Sequence, residues 1–330
     1  MKKVFSLFFM TTVIIIFLCV IISKRNCVIE IGNYKDYNIK EPSVELTQKE
    51  LEIEKTYSLL KYSEFKDNVD EIENGNYITI VYSLYDEEKN ELYHYNDVET
   101  EFVLGLGEFD EYIESRIKGY CIGDTIELIR YDNPKVPDAH WARVYIKDSL
   151  IIVFPELSKN FLMQNYNCSS ENELDIYLKE TAEEIEKGIE IDEIKKSIIE
   201  DVVEKTSFNS AFYRRVEKRY NKLIAVYNEY GRLYNMSLEE VLSMYDLDEE
   251  KVHKNAFLQE GTWQVSNYIF SKDNIKISHR ELKELMEKHA KEYGYNSARE
   301  YAKDNGYKGL REDVYEKYLG DYLYKLNVLN

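Results

Sequence analysis

Phe102-Val-Leu-Gly-Leu-Gly-Glu-Phe109 runs a short apolar strand into a Gly-x-Gly turn. Asp110-Glu-Tyr-Ile-Glu-Ser-Arg-Ile-Lys-Gly-Tyr-Cys-Ile-Gly123 follows with one amphipathic helical turn and a Gly-x-x-x-Gly return into another strand. This layout sets a small helix against a curved sheet, with room for an apolar cleft between them. A second set of residues lies downstream. Tyr213, Val216, Tyr220, Leu223, Tyr227, Tyr230 and Tyr234 recur at alternating steps of three and four, which is one stripe of a long helix. Such a stripe is either core between helices or a surface offering apolar area together with hydroxyls, and a buried phenol needs a partner for its hydroxyl. The four cysteines (Cys19, Cys27, Cys121 and Cys168) are too few and too scattered for a disulfide framework or a zinc site, so Cys121 and Cys168 are expected as separate thiols. No metal and no cofactor is implied.

The elements that position these residues belong to a chain of 330 residues, long enough for two or three units. The composition, 44% hydrophobic and 32% charged, supports real cores and long solvated helices. A formal net charge of -19, spread along the chain without a basic stripe, repels phosphate backbones and excludes nucleic acid as a partner. Tyrosine is in excess, with 30 residues that need an explanation.

Val4 to Ile22 is an apolar or hydroxyl run between Lys2-Lys3 and Lys24-Arg25. As a helix it spans roughly 28 Å, enough to cross a bilayer core. No small-x-small cleavage site follows, so residues 1–27 are expected to be an uncleaved anchor rather than a secretory signal. The simpler topology keeps the short amino terminus inside and exports the acidic body: a single-pass cell-membrane protein with its body on the extracytoplasmic face. Residues 28–73 read as a linker with a short strand (28–31) and a helix opened by the capping box Thr47/Glu50. Strands are predicted over 77–85, 92–95, 101–104, 124–131 and 143–152, with one short helix among them. Further capping boxes at Ser170/Glu173, Ser237/Glu240, Ser278/Glu281 and Ser297/Glu300 predict helices over 171–206, 237–245, 249–270, 278–292, 297–305 and 310–326, besides the striped helix 210–234. The fold class is α+β: a transmembrane helix, a small antiparallel sheet with one short helix (74–153), then an all-α domain with long helices (154–330).

Asn76-x-Ile78-x-Ile80-x-Tyr82, Phe102-x-Leu104-Gly105-x-Gly107-x-Phe109 and Ile113-Glu114-x-x-Ile117-x-Gly119-x-x-x-Gly123 resemble the FKBP-type prolyl isomerases, and most closely the version inside bacterial trigger factor. Prolyl isomerisation needs no acid, base or nucleophile. Its barrier of about 18–20 kcal/mol comes from amide resonance, and a dry aromatic pocket lowers it by favouring the twisted amide. The resemblance puts Tyr82, Phe102 and Phe109 at pocket positions, with Tyr93 (or Leu92) as the first-strand aromatic and His94 or Tyr93 in place of an aspartate. It puts Asp110 where an isoleucine amide holds the substrate carbonyl, Ile113 at the aromatic pocket floor, and Ala142 in place of a phenylalanine. A carboxylate and a smaller floor predict a shallower, wetter cleft with weak or absent isomerase activity.

Phe154-Pro-Glu-Leu-Ser-Lys-Asn-Phe161, Asn235-Met-Ser-Leu-Glu-Glu240, Ile275-x-Ile277-Ser-His-Arg-Glu281-Leu and Glu292-Tyr-Gly-Tyr-Asn-Ser-Ala-Arg-Glu300 resemble, in order, segments of trigger factor's helical body. The resemblance implies a cradle for unfolded or newly exported polypeptides, with Tyr213, Tyr220, Tyr227, Tyr230 and Tyr234 facing the client. Nothing resembles that family's ribosome-docking loop, so no ribosome docking is expected; membrane attachment through residues 4–22 takes its place. Two other functions stay open: an active prolyl isomerase for secreted proteins, and a scaffold for one membrane partner.

Overall fold

The computed structural model describes residues 27–107 and 109–329, without the side chains of Tyr93 and Leu128. The apolar run 4–22 lies outside the described residues, among which no helix is long and apolar enough to cross a membrane. In chain order the elements are β1 (Val28–Glu30), α1 (Gln48–Leu60), β2 (Glu64–Asp67), β3 (Asn76–Tyr85), β4 (Val98–Val103), α2 (Glu111–Ile117), β5 (Thr125–Arg130) and β6 (Trp141–Val153). Then follow α3 (Lys159–Tyr166), α4 (Glu171–Glu204), β7 (Ser207–Phe208), α5 (Ser210–Tyr234), α6 (Leu238–Met244), α7 (Glu249–Lys272), α8 (His279–Glu292) and α9 (Ala298–Asn327). The class is α+β, as the sequence predicts, and the chain divides into two units. One is Ser43–Lys187; the other joins the described residues up to Pro42 with those from Gly188 onward.

The Ser43–Lys187 unit is built on an antiparallel sheet in the order β2-β6-β3-β4, with β5 also on β6. Along one side β6 pairs with β3; on the other it carries β5 at one end (Arg130 opposite Trp141) and β2 at the other (Glu64 opposite Val153). Alternation puts Ile78, Ile80 and Leu84 of β3 on one face with Ala142, Val144 and Ile146 of β6. Ile113 and Ile117, one helical turn apart on α2, cover that face together with Phe102. Two predicted details change here. Residues 92–95 do not restart a strand; Tyr93–Tyr95 is a 3-10 turn. An unpredicted strand, β2, lies at the sheet edge with all four residues exposed.

In the other unit, residues 28–39, expected as linker, are part of the helical core, and so is Cys27, expected as the last residue of the anchor segment. Strand β1 pairs with β7, and Cys27, Val28 and Tyr34 pack with Val202, Phe212 and Ile269. Farther along, Ile39 bridges Val328 in parallel, and Asn327 donates its side-chain amide to the Tyr34 carbonyl at 3.0 Å. The capping boxes at Thr47, Ser237 and Ser278 form as predicted. At Ser170 and Ser297 the serine accepts the expected amide, but the glutamate takes the amide one residue earlier, from Ser169 and Asn296. Gly306 (φ 78, ψ 147) breaks α9 between its two predicted halves.

The tyrosine excess and the acid excess meet in the same contacts. The Tyr34 and Tyr322 hydroxyls both donate to Asp273, at 3.1 and 2.7 Å; Tyr37 donates to Asp201 at 2.6 Å and Tyr301 to Asp313 at 3.0 Å. Burial, with the carboxylate beside them, pushes Tyr34 and Tyr322 up to about 12, so they stay donors at any physiological pH.

Candidate functional site

Three of the predicted pocket residues come together. The Phe102 and Phe109 rings stack with centroids 4.8 Å apart, and Tyr82 meets Phe109 edge-on at 5.3 Å. Phe102 is buried, while Tyr82 and Phe109 are half-buried and form the accessible part of the cluster. Ile113 is 1% exposed and belongs to the core rather than to the floor of an open cleft. The side chain of Tyr93 lies outside the description, Leu92 packs half-buried against the core, and His94 is exposed.

Asp110 corrects the expected wet cleft. It is 8% exposed, and both its oxygens face inward. Its Oδ1 caps α2 by accepting the Ile113 amide at 2.9 Å. Its Oδ2 accepts the Tyr131 hydroxyl and the Asn133 side-chain amide, both at 2.7 Å. Burial and then Asp110 push the Tyr131 phenol far above its usual range, which keeps it a donor. Sequence reasoning missed both partners, although a buried carboxylate always implies donors close by. A carboxylate offers only acceptors, so the Asp110 side chain gives a substrate carbonyl no donor, and it is engaged by the Ile113 amide, Tyr131 and Asn133.

The loop before α2 is held by Glu114, a residue of the Ile113-Glu114-x-x-Ile117 segment. Glu114 is buried, and its Oε2 accepts the amides of Gly105 and Gly107 at 2.9 and 3.0 Å, while Oε1 accepts that of Phe109 at 3.2 Å. Gly105 (φ 91) turns the chain so that these amides point inward, and a Cβ there would sit 2.7 Å from Asn74. The stacking of Phe109 on Phe102 is therefore set by a carboxylate nest.

The tyrosine stripe of α5 is not uniform. Val216 is buried, and Tyr220 and Leu223 pack against the core. Tyr220 donates to Glu249 at 2.7 Å, at the first residue of α7, which makes it a structural contact rather than a client-facing one. Beyond that level α5 continues to Tyr234 beside the short α6. Tyr227 is half-buried with its ring 6.1 Å from Tyr245, whereas Tyr230 and Tyr234 stack at 6.2 Å and are exposed. Tyr213, at the other end, is also exposed. Periodicity missed two exposed neighbours of Tyr230: Val226 and Leu233 lie four residues before it and three after, and with Met244 and Tyr245 of the α6 end they enlarge the apolar surface. Leu233 is 71% and Tyr234 68% exposed.

Cys27, Cys121 and Cys168 are free thiols. Among the described residues no group of three or more His, Cys, Asp or Glu side chains is placed to hold a metal ion. No family model matches the sequence, and no curated protein matches it. Among solved structures the chain is similar to the trigger factor chaperone, with 17% identity over 90% of this chain and 72% of that one, at a TM-score of 0.39.

Proposed function

We propose that this chain is a chaperone of trigger-factor type that holds unfolded or newly exported polypeptides on its helical surface. In this reading residues 4–22 anchor it in the cell membrane, the body lies on the extracytoplasmic face, and prolyl isomerisation is weak or absent. The observation that carries the proposal is the exposed apolar surface formed by Val226, Tyr230, Leu233 and Tyr234 with Met244 and Tyr245. Contiguous apolar surface of this kind is what protein-binding faces present, and phenol hydroxyls let it accept polar clients as well. The trigger factor chaperone recognises its substrates promiscuously in folding and assembly.

The full chain in nanodiscs should suppress aggregation of several unrelated unfolded proteins. Replacing Leu233 and Tyr234 together with serine should weaken that suppression several-fold while changing stability by no more than about 0.5 kcal/mol, as exposed positions allow. Unchanged holding by this variant would remove the surface from the proposal, and failure of the native chain on every client would favour a scaffold for one partner.

The isomerase reading is tested separately. With Asp110 engaged by Tyr131 and Asn133, a proline-peptide assay at high protein concentration should give no rate above background. A measurable rate would return the Tyr82–Phe102–Phe109 cluster to the role of active site.

A further inference from the structure

Within the helical unit, a cavity of about 360 Å³ opens between the later part of α4 and helices α8 and α9. His289 lines it. This residue is 7% exposed, and neither ring nitrogen has a hydrogen-bond partner. Its Nε2 is 3.8 Å from Asp313 Oδ2, beyond hydrogen-bonding reach. Burial holds the imidazole below its usual range, so at neutral pH it offers one acceptor and one donor. The Tyr293 and Tyr301 rings flank it with centroids at 4.7 and 5.4 Å. A buried polar group left without a partner costs stability; both ring nitrogens are buried, and the ring lines the wall of a cavity large enough for a small molecule or a side chain.

The charges around the cavity decide the sign of the occupant. Lys195 is matched by Asp192 at 2.9 Å and Asp321 at 2.8 Å, and Lys317 by Glu292 at 2.7 Å. That leaves Asp313 and Glu316 against Lys196, two carboxylates for one ammonium. Glu316 is exposed to solvent and has no hydrogen bond or ion pair among the described residues, and the packing around it followed by the nearby Asp313 raises its carboxyl above the usual range. Among the residues that line the cavity, which exclude Asp321, four carboxylates face three ammonium groups, so a single positive charge brings the lining to neutrality. The aromatic walls favour an organic cation over a hydrated ion.

We propose that this cavity binds a monovalent organic cation, a primary ammonium or guanidinium group, between Glu316 and Asp313, with the His289, Tyr293 and Tyr301 rings as walls. The cavity is separate from the α5 surface, and its occupancy does not depend on whether the chain holds unfolded polypeptides. The cation arrives either as a free alkylamine or as the lysine side chain of a polypeptide.

The test uses the full chain with isotope-labelled histidine, His289 being assigned by its loss in His289→Gln. Hexylammonium chloride and a blocked Gly-Gly-Lys-Gly-Gly peptide are titrated in, with sodium hexanoate as the anionic control. The His289 ring signals should shift saturably with the amine or the peptide and not with hexanoate, and the tighter of the two names the source. Glu316→Gln should weaken the tighter probe by at least about tenfold, the loss of one charged hydrogen bond. Absence of a saturable shift with both cations, an equal response to hexanoate, or unchanged affinity in a folded Glu316→Gln variant would overturn the proposal.

Discussion

Arg219→Met is expected to destabilise the helical unit by about 3 kcal/mol, the lower end of the range for removing one partner from a buried ion network. Arg219 lies on α5 and reaches two other helices. Its guanidinium bonds both oxygens of Glu312 on α9 at 3.1 Å and Glu260 Oε2 on α7 at 3.1 Å. Glu260 is buried and takes a further bond from Gln264 at 2.7 Å, while Glu312 keeps Lys308 at 3.1 Å. These remaining partners put the expected loss at the low end. Methionine fills most of the volume of the arginine stem, so the loss comes from two carboxylates stripped of their shared cation rather than from a cavity. In urea, the transition of the helical unit should move to lower concentration while that of the sheet unit stays in place. The triple variant Arg219→Met, Glu260→Gln, Glu312→Gln should recover much of the loss, because no uncompensated charge then remains buried.

The pH dependence has a definite sign. Burial raises the Glu312 carboxyl, but the bonds from Arg219 and Lys308 outweigh that and hold its folded pKa below the ordinary value of 4.5. A depressed carboxylate contributes stability that is fully present above about pH 4.5 and is lost as pH falls through the folded value. The native chain should therefore lose part of its advantage over the triple variant in strongly acidic buffer. An advantage that does not change between neutral and acidic pH would mean that Glu312 is not the group involved.

Much of the fold was legible because it is written in short-range chemistry. The Gly105 to Gly123 spacing marks turns that require positive φ, and hydroxyl–carboxylate pairs mark helix starts where four amides lack internal partners. What was not legible depends on partners far along the chain. Strand β2 (Glu-Phe-Lys-Asp) has neither alternation nor burial and exists only because β6 offers an edge at Leu150–Val153. Tyr34 and Tyr37 read as linker until Asp273, Asp201 and Asn327 are brought to them by helices more than a hundred residues away. The stripe on α5 is periodic throughout, but periodicity does not say where the covering helix begins. Glu249 sets that point, and the same residue type is structural at Tyr220 and exposed at Tyr234. At the candidate pocket, the ring contacts of Tyr82, Phe102 and Phe109 follow from the strand and turn spacing, but the direction of the Asp110 side chain does not, because it turns on Tyr131 and Asn133.

Glu114→Ala carries the second large expected effect, a loss of about 3–5 kcal/mol in the sheet unit, because three backbone donors lose their acceptor at once. The amides of Gly105, Gly107 and Phe109 converge on one buried carboxylate, and no alanine side chain can replace it. Glu114→Gln tests the mechanism more sharply. Glutamine keeps the volume and one acceptor oxygen, but its NH2 group is a donor set against amides that are themselves donors. It should therefore recover only part of the loss, and amide exchange at Gly105, Gly107 and Phe109 should accelerate in both variants while exchange in β3 and β6 changes less. If exchange rises uniformly across the sheet, Glu114 supports the core as a whole and does not hold the loop. If instead the loop alone loosens, Phe109 is freed from its stacking on Phe102, and the aromatic cluster can be probed for proline-peptide binding in a form that the native clamp forbids. That outcome would make Glu114 the residue that keeps the cluster closed.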